Sequence, residues 1–189
     1  MTKLYIPLKI PVFRRMWAAS VLSNFGLMIQ GVGVTWAMVE AANEPAMVAW
    51  VQTAMMLPLM LWSIPSGAIA DVFSLRKVAL SGLAIALVGA MALLITTRTG
   101  AATPQSLLLL CFLVGSGMAL FTPAWQASVV HQVPNETLPQ AIALNSISFN
   151  IARGFGPALG GMLVAWGGAT AAFLCNVLCY IPLIIVFSF

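Results

Sequence analysis

The sequence predicts an all-α polytopic membrane protein, a bundle of six transmembrane helices. Three observations predict it. Of the 189 residues, 61% are hydrophobic and only 6% charged, with a mean hydropathy of +1.03. A soluble domain carries about 25% charged residues, so this chain cannot coat itself with charge. The apolar residues gather in six segments, at 16–39, 47–70, 78–97, 106–130, 138–166 and 169–189. Each approaches or exceeds the roughly 20 residues that cross ~30 Å of hydrocarbon at ~1.5 Å per residue. The connections are short: "EAANEPA", "DVFSLRK", "RTGAATPQ", "HQVPNETLP" and "GG". β-barrel strands would be about 10 residues long and alternate apolar with polar, which these runs do not.

Residues 1–15 read as a cytoplasmic tail carrying Lys3, Lys9, Arg14 and Arg15. The first apolar segment is longer than the roughly 7–15 residues of a signal-peptide core, so it reads as a retained helix. Ser20, Asn24, Gly31 and Thr35 line one face of it, and Thr122 and Gln126 share a face of the fourth segment. The connection between the second and third segments, "GAIADVFSLRK", places Asp71 at one end and Arg76 and Lys77 at the other. These charges can clasp two helices, and Gly67 permits a close approach; a plain hairpin with basic residues on the cytoplasmic side explains the same stretch. Cations lie in the tail and this connection, while the opposite side carries only Arg98. Both termini are therefore expected in the cytoplasm, with Trp36, Trp50 and Trp166 near the outer interface and Trp17 and Trp125 near the inner one.

The fifth segment holds the sequence "NSISFNIARGFGPALGG". On a helix Ser146, Asn150, Arg153, Pro157 and Gly160 share one face. Gly156 and Gly160 form a small-residue pair that lets a neighbouring backbone come close, and Pro157 removes a hydrogen bond and can bend the helix. Arg153 lies ~20 Å in from Leu138. A lipid-facing cation there costs from ~3 to more than 10 kcal/mol, so it should face a wet cavity or a partner group; locking helices through carbonyls is the competing role.

Other function classes fit poorly. The net charge of +4 is not gathered on one face or in one run, which argues against nucleic acid. Cys111, Cys175 and Cys179 lie inside apolar segments without ligand spacing, and one His and four acids leave no metal or cofactor site in view. An intramembrane serine protease needs a Ser within reach of a His. Ser116 and the single His131 are 15 residues apart, ~22 Å along a helix.

Two of these stretches carry a resemblance. "GAIADVFSLRK" resembles the loop motif of the major facilitator superfamily, matching at Gly67, Asp71, Arg76 and Lys77 and departing at Val72, Ser74 and Leu75. "ARGFGPALGG" resembles the fifth-helix motif of that superfamily's antiporters, matching at Gly156, Pro157, Gly160 and Gly161, with Ala152 in place of an earlier glycine. The stretch from Pro123 to Gly161 is similar to the bacterial branch of enterobactin-exporter-like permeases and transmembrane secretion effectors. The resemblance covers essentially the whole chain and implies the N-terminal six-helix half of a transporter, with a 3+3 inverted repeat. It also implies a small-molecule exporter in the bacterial inner membrane, moving siderophores, drugs or similar molecules by alternating access. The family's usual twelve helices imply a second six-helix half, which this sequence lacks.

No acid lies within the spans, the first segment's "NFGLMIQ" has none, and the fourth has no Arg, so proton coupling is not visible in this half. The expected substrate or cavity residues are Arg153, Asn150, Ser146, Asn24 and Gln126. A truncated, non-transporting membrane interaction protein is the alternative.

Overall fold

The computed structural model describes residues 4–42 and 44–188, apart from the side chains at positions 63, 64, 68, 70 and 71. After a 3-10 turn at Ile6–Lys9 come α1 (Pro11–Ala41), α2 (Ala46–Val72), α3 (Leu75–Arg98) and α4 (Pro104–Val130). A second turn, Asn135–Thr137, leads into the helical stretch Leu138–Ser188. That stretch is broken at Gly167 (φ −139°) and Gly168 (φ 67°, ψ −172°), which divides it into α5 (residues 138–166) and α6 (169–188). A positive φ of this kind is open to glycine and costly for other residues. The break folds α6 back along α5, so Leu138 and Leu183 line the same cavity. The non-helical angles fall at this glycine pair and not at Pro157. Among the described residues there is no strand.

Local chemistry explains the other ends. Pro11 and Pro104 sit in the first turns of α1 and α4, where a missing N–H is harmless. Thr103 caps α4 reciprocally: its Oγ1 accepts from the Ser106 N–H at 3.2 Å and Ser106 Oγ accepts from the Thr103 N–H at 2.9 Å. Length and apolar composition suffice for crossing a membrane in α1, α3, α4 and the joined α5–α6 stretch. α2 reaches 27 residues with an apolar first part, 46–62.

Hydrocarbon offers helices no hydrophobic incentive to associate, so close packing must hold them together. Glycines supply it. A Cβ on Gly26 would sit 2.7 Å from that of Cys179, and one on Gly33 would sit 2.7 Å from that of Ala172, which joins α1 to α6. Gly117 lies so close to Gly82 and Ala86 that a Cβ would fall 2.5 Å from their backbones, which joins α4 to α3. Gly156 and Gly160 press on Met28, Ile29 and Val32, joining α5 to α1; Gly115 presses on Met55 and Pro58, joining α4 to α2. α3 meets the α5–α6 stretch, and Val78, Ala79 and Leu83 share one buried cluster with Tyr180, Leu183 and Phe187 of α6. Exchanging each of the first three helices with the one three later maps this set of contacts onto itself, as an inverted 3+3 repeat requires.

One buried contact is polar. Asn176 Nδ2 of α6 donates to Gln30 Oε1 of α1, with both residues fully enclosed. A Cβ on Gly26 would lie 2.6 Å from Asn176 Oδ1, so this carboxamide also needs a bare backbone beside it. Interhelical amide bonds of this kind contribute about 0.6–2 kcal/mol in membranes.

Two glycines tell packing apart from mere composition. Gly117→Ala should destabilise the purified protein by about 1–3 kcal/mol, since backbone on both sides cannot yield. Gly161→Ala, where no described atom lies within 4 Å, should leave the melting temperature in detergent unchanged. Equal losses in the two variants would refute the packing assignment.

Candidate functional site

α4 and α5 take their main contacts from different helices and touch each other little. The gap between them is a cavity of about 710 Å³, walled by the first half of α1, the middle of α2, the second half of α4 and the first half of α5. It lies toward the end of the bundle that holds the α2–α3 turn and the α4–α5 connection.

Four of the five residues expected at a site line it: Asn24 from α1, Gln126 from α4, and Ser146 and Asn150 from α5. Asn24 is half-buried, whereas Gln126, Ser146 and Asn150 are exposed. Asn24 Nδ2 reaches Ser148 Oγ at 3.4 Å, tying α1 to α5 across the floor. The fifth residue, Arg153, stands elsewhere. It is exposed and does not line the cavity, although Asn150, about 4.5 Å nearer the start of the helix, does.

The fifth-helix motif divides in the same manner. Gly156 and Gly160 are buried against α1, while Pro157 and Gly161 are exposed. In the loop motif, an Arg76 guanidinium N–H donates to the Ser188 carbonyl, bridging the start of α3 and the end of α6. Lys77 is exposed, and a Cβ on Gly67 would meet no described atom within 4 Å, so no described neighbour uses the room that glycine leaves. The side chain of Asp71, the acidic end of the expected clasp, lies outside the described residues. Every Lys, Arg and Glu with a described side chain is exposed.

Sequence reasoning missed part of the wall. Asn145 and Ser148 were not singled out, and neither were Met28, Met56 and Met118, one from each of three helices. Phe121 and Trp125 form an aromatic floor, their rings stacked with centroids 6.2 Å apart, and Phe187 meets Trp125 edge-on at 6.0 Å. Asn145 and Ser148 were legible only as polar interruptions in an apolar run; the Met and aromatic residues carried no signal, because core packing uses the same residues. A wall that mixes apolar surface with a few amides and hydroxyls is the usual composition of a small-molecule site. Among the described residues no group of His, Cys, Asp and Glu is placed to hold a metal.

The model of a known family, the transmembrane secretion effectors of the major facilitator superfamily, matches residues 2–188. The chain belongs to that family. Its members are membrane transporters and not enzymes. A curated relative, the staphyloferrin A transporter of Staphylococcus aureus, is 26% identical over 165 residues, which cover 87% of this chain and 42% of that protein. The chain thus spans less than half the length of that relative. No solved structure matches it.

Accessibility tests the wall directly. In a background lacking Cys111, Cys175 and Cys179, cysteines at positions 146 and 150 should react with a small polar thiol reagent in intact membranes. A cysteine at position 152, fully buried as Ala152 against the bundle, should not. Inert cysteines at both 146 and 150 would mean that the cavity is dry.

Proposed function

We propose that this chain is a six-helix unit of a secondary active transporter that exports small molecules by alternating access. The single observation that carries this is the 710 Å³ cavity between α1, α2, α4 and α5, bordered by amides and hydroxyls that a lipid-facing surface would not carry. Family membership supports transport, and the relative that carries staphyloferrin A supports siderophores or similar small molecules as the cargo class.

A second six-helix unit completes the cavity, either as an in-frame continuation or as another copy. The exposed face of α5 that carries Phe149, Arg153 and Pro157 is the surface we assign to it. The unit sits in the bacterial inner membrane with both ends in the cytoplasm, since Lys9, Arg14, Arg15, Arg76 and Lys77 lie toward one end of the bundle. The Arg76 bridge between α3 and α6 is the described part of a cytoplasmic clasp that changes between access states. The other reading is a truncated membrane interaction protein that does not transport.

Reporter fusions at positions 44, 74, 100 and 135 should read outside, inside, outside, inside; an external signal at 74 overturns the topology. Export tests the rest. Arg153 sits at the seam with the second unit, where its planar fork holds a substrate anion or a partner carboxylate. Arg153→Ala should lower export by the full-length protein about tenfold or more with normal membrane levels, and Arg153→Lys should retain part of it. Unchanged export in Arg153→Ala removes the residue from the mechanism. No export by either wild type or variants, with correct topology, favours the truncated interaction protein.

A further inference from the structure

A second cavity, of about 320 Å³, opens at the end of the bundle that holds the α2–α3 turn. It lies between the starts of α1 and α3 and the ends of α4 and α6. Its walls divide by chemistry. Val12, Met16 and Phe187 supply apolar surface, and Arg76, His131 and Gln132 supply polar groups. Each of these residues lies within about two turns of a helix end, so the cavity sits where hydrocarbon gives way to lipid headgroups. The polar side is placed to donate. Arg76 gives one guanidinium N–H to the Ser188 carbonyl and keeps its others. His131 is exposed, and an imidazole carries an N–H in either protonation state. Gln132 Nε2 donates to Ser128 Oγ at 3.1 Å and Ser128 Oγ to the Trp125 carbonyl at 2.7 Å, which fixes the wall that α4 contributes. Gln132 Oε1 is enclosed by protein, out of a ligand's reach. Among the described residues no carboxylate lines the cavity, so Arg76 is its one formal charge at pH 7.

The surroundings favour an anion as well. Lys9, Arg14, Arg15 and Lys77 belong to the same helix ends, against Asp71 and Glu136. Inorganic phosphate would satisfy the donors and leave the apolar side bare to water. A phospholipid fills both sides, its phosphate on the donors and the first methylenes of a chain on the apolar wall. A headgroup with its own cation, choline or ethanolamine, would bring a like charge among these bases. We propose that this cavity holds one anionic phospholipid of the phosphatidylglycerol class, its phosphate on Arg76 and His131 and an acyl chain along Val12, Met16 and Phe187. Arg76 starts α3, His131 follows the last turn of α4 and Phe187 lies near the end of α6, so the lipid ties three helix ends together. Such a site is independent of whether the chain transports.

Native mass spectrometry of the purified, delipidated protein in detergent measures the affinity for single added lipids. Dioleoyl phosphatidylglycerol should bind about tenfold or more tightly than dioleoyl phosphatidylcholine, and millimolar inorganic phosphate should not displace it. Arg76→Gln should weaken phosphatidylglycerol about tenfold. Lys77→Gln removes the same charge from an exposed neighbour that does not line the cavity, and in about 0.15 M salt it should cost less than about twofold. Val12→Trp fills the apolar side and keeps every charge; it too should weaken phosphatidylglycerol about tenfold. Equal losses in Arg76→Gln and Lys77→Gln would mean diffuse attraction to a basic surface and overturn the site. Equal affinity for the two lipids would do the same. Displacement by phosphate, or full affinity in Val12→Trp, would leave at most an anion site and overturn the lipid. Where Arg76→Gln, having lost the Ser188 bridge, does not fold, Val12→Trp and the lipid comparison decide.

Discussion

Water is missing from the interior of a bilayer, and much of this molecule follows from that. A backbone N–H or C=O in hydrocarbon must find its partner inside its own helix, which leaves few polar groups with which helices can hold one another. The bundle answers with contact at the closest possible range. Gly117 meets Gly82 backbone to backbone, and Gly26 and Gly33 admit α6 against α1. These seams decide which helices are neighbours. Because α4 is drawn to α2 and α3 while α5 is drawn to α1, the two stand apart, and the cavity is the space that remains between them.

Side-chain hydroxyls obey the same constraint. In water, Thr122 or Ser146 would share its proton with solvent. In an apolar helix the carbonyl one turn back is the nearest acceptor, and the structure puts the proton there in each case. The direction of these hydroxyls is thus a by-product of how a membrane helix satisfies itself. Gln30 and Asn176 show the cost of breaking the pattern. Their single interhelical bond leaves Gln30 Nε2 and Asn176 Oδ1 without hydrogen-bond partners in the core, although Oδ1 lies close over Gly26, where a weak Cα–H contact is available.

The fold class was legible because it depends on averages: segment length, apolar content and short connections survive any local misreading. The glycine pair at 167–168 marked the α5–α6 break for the same reason, since few other roles suit two adjacent glycines between apolar runs. Asn24, Gln126, Ser146 and Asn150 were legible as polar residues at helical spacing, and the structure brings these four to one cavity. The Gln30–Asn176 pair was not, because it joins positions 146 residues apart and neither residue stands out alone. Gly67 and Pro157 are less informative: no described neighbour crowds the first, and the helix runs on through the second.

Arg153 separates sequence spacing from three-dimensional location most clearly. Its helical face is that of Ser146 and Asn150, which suggested a common cavity. The cavity, however, is closed in by α4, and α4 accompanies α5 only along its first part, so its lining ends at Asn150. Beyond that point the same face looks outward. A cation is expensive there against lipid and inexpensive against water or a carboxylate. Its exposure in a six-helix unit therefore argues that this side of α5 is not a lipid-facing surface. The seam assigned to the second unit would provide what the cation needs, with Gly156 and Gly160 holding α5 against α1 close by, so that Arg153 is presented on a rigid support.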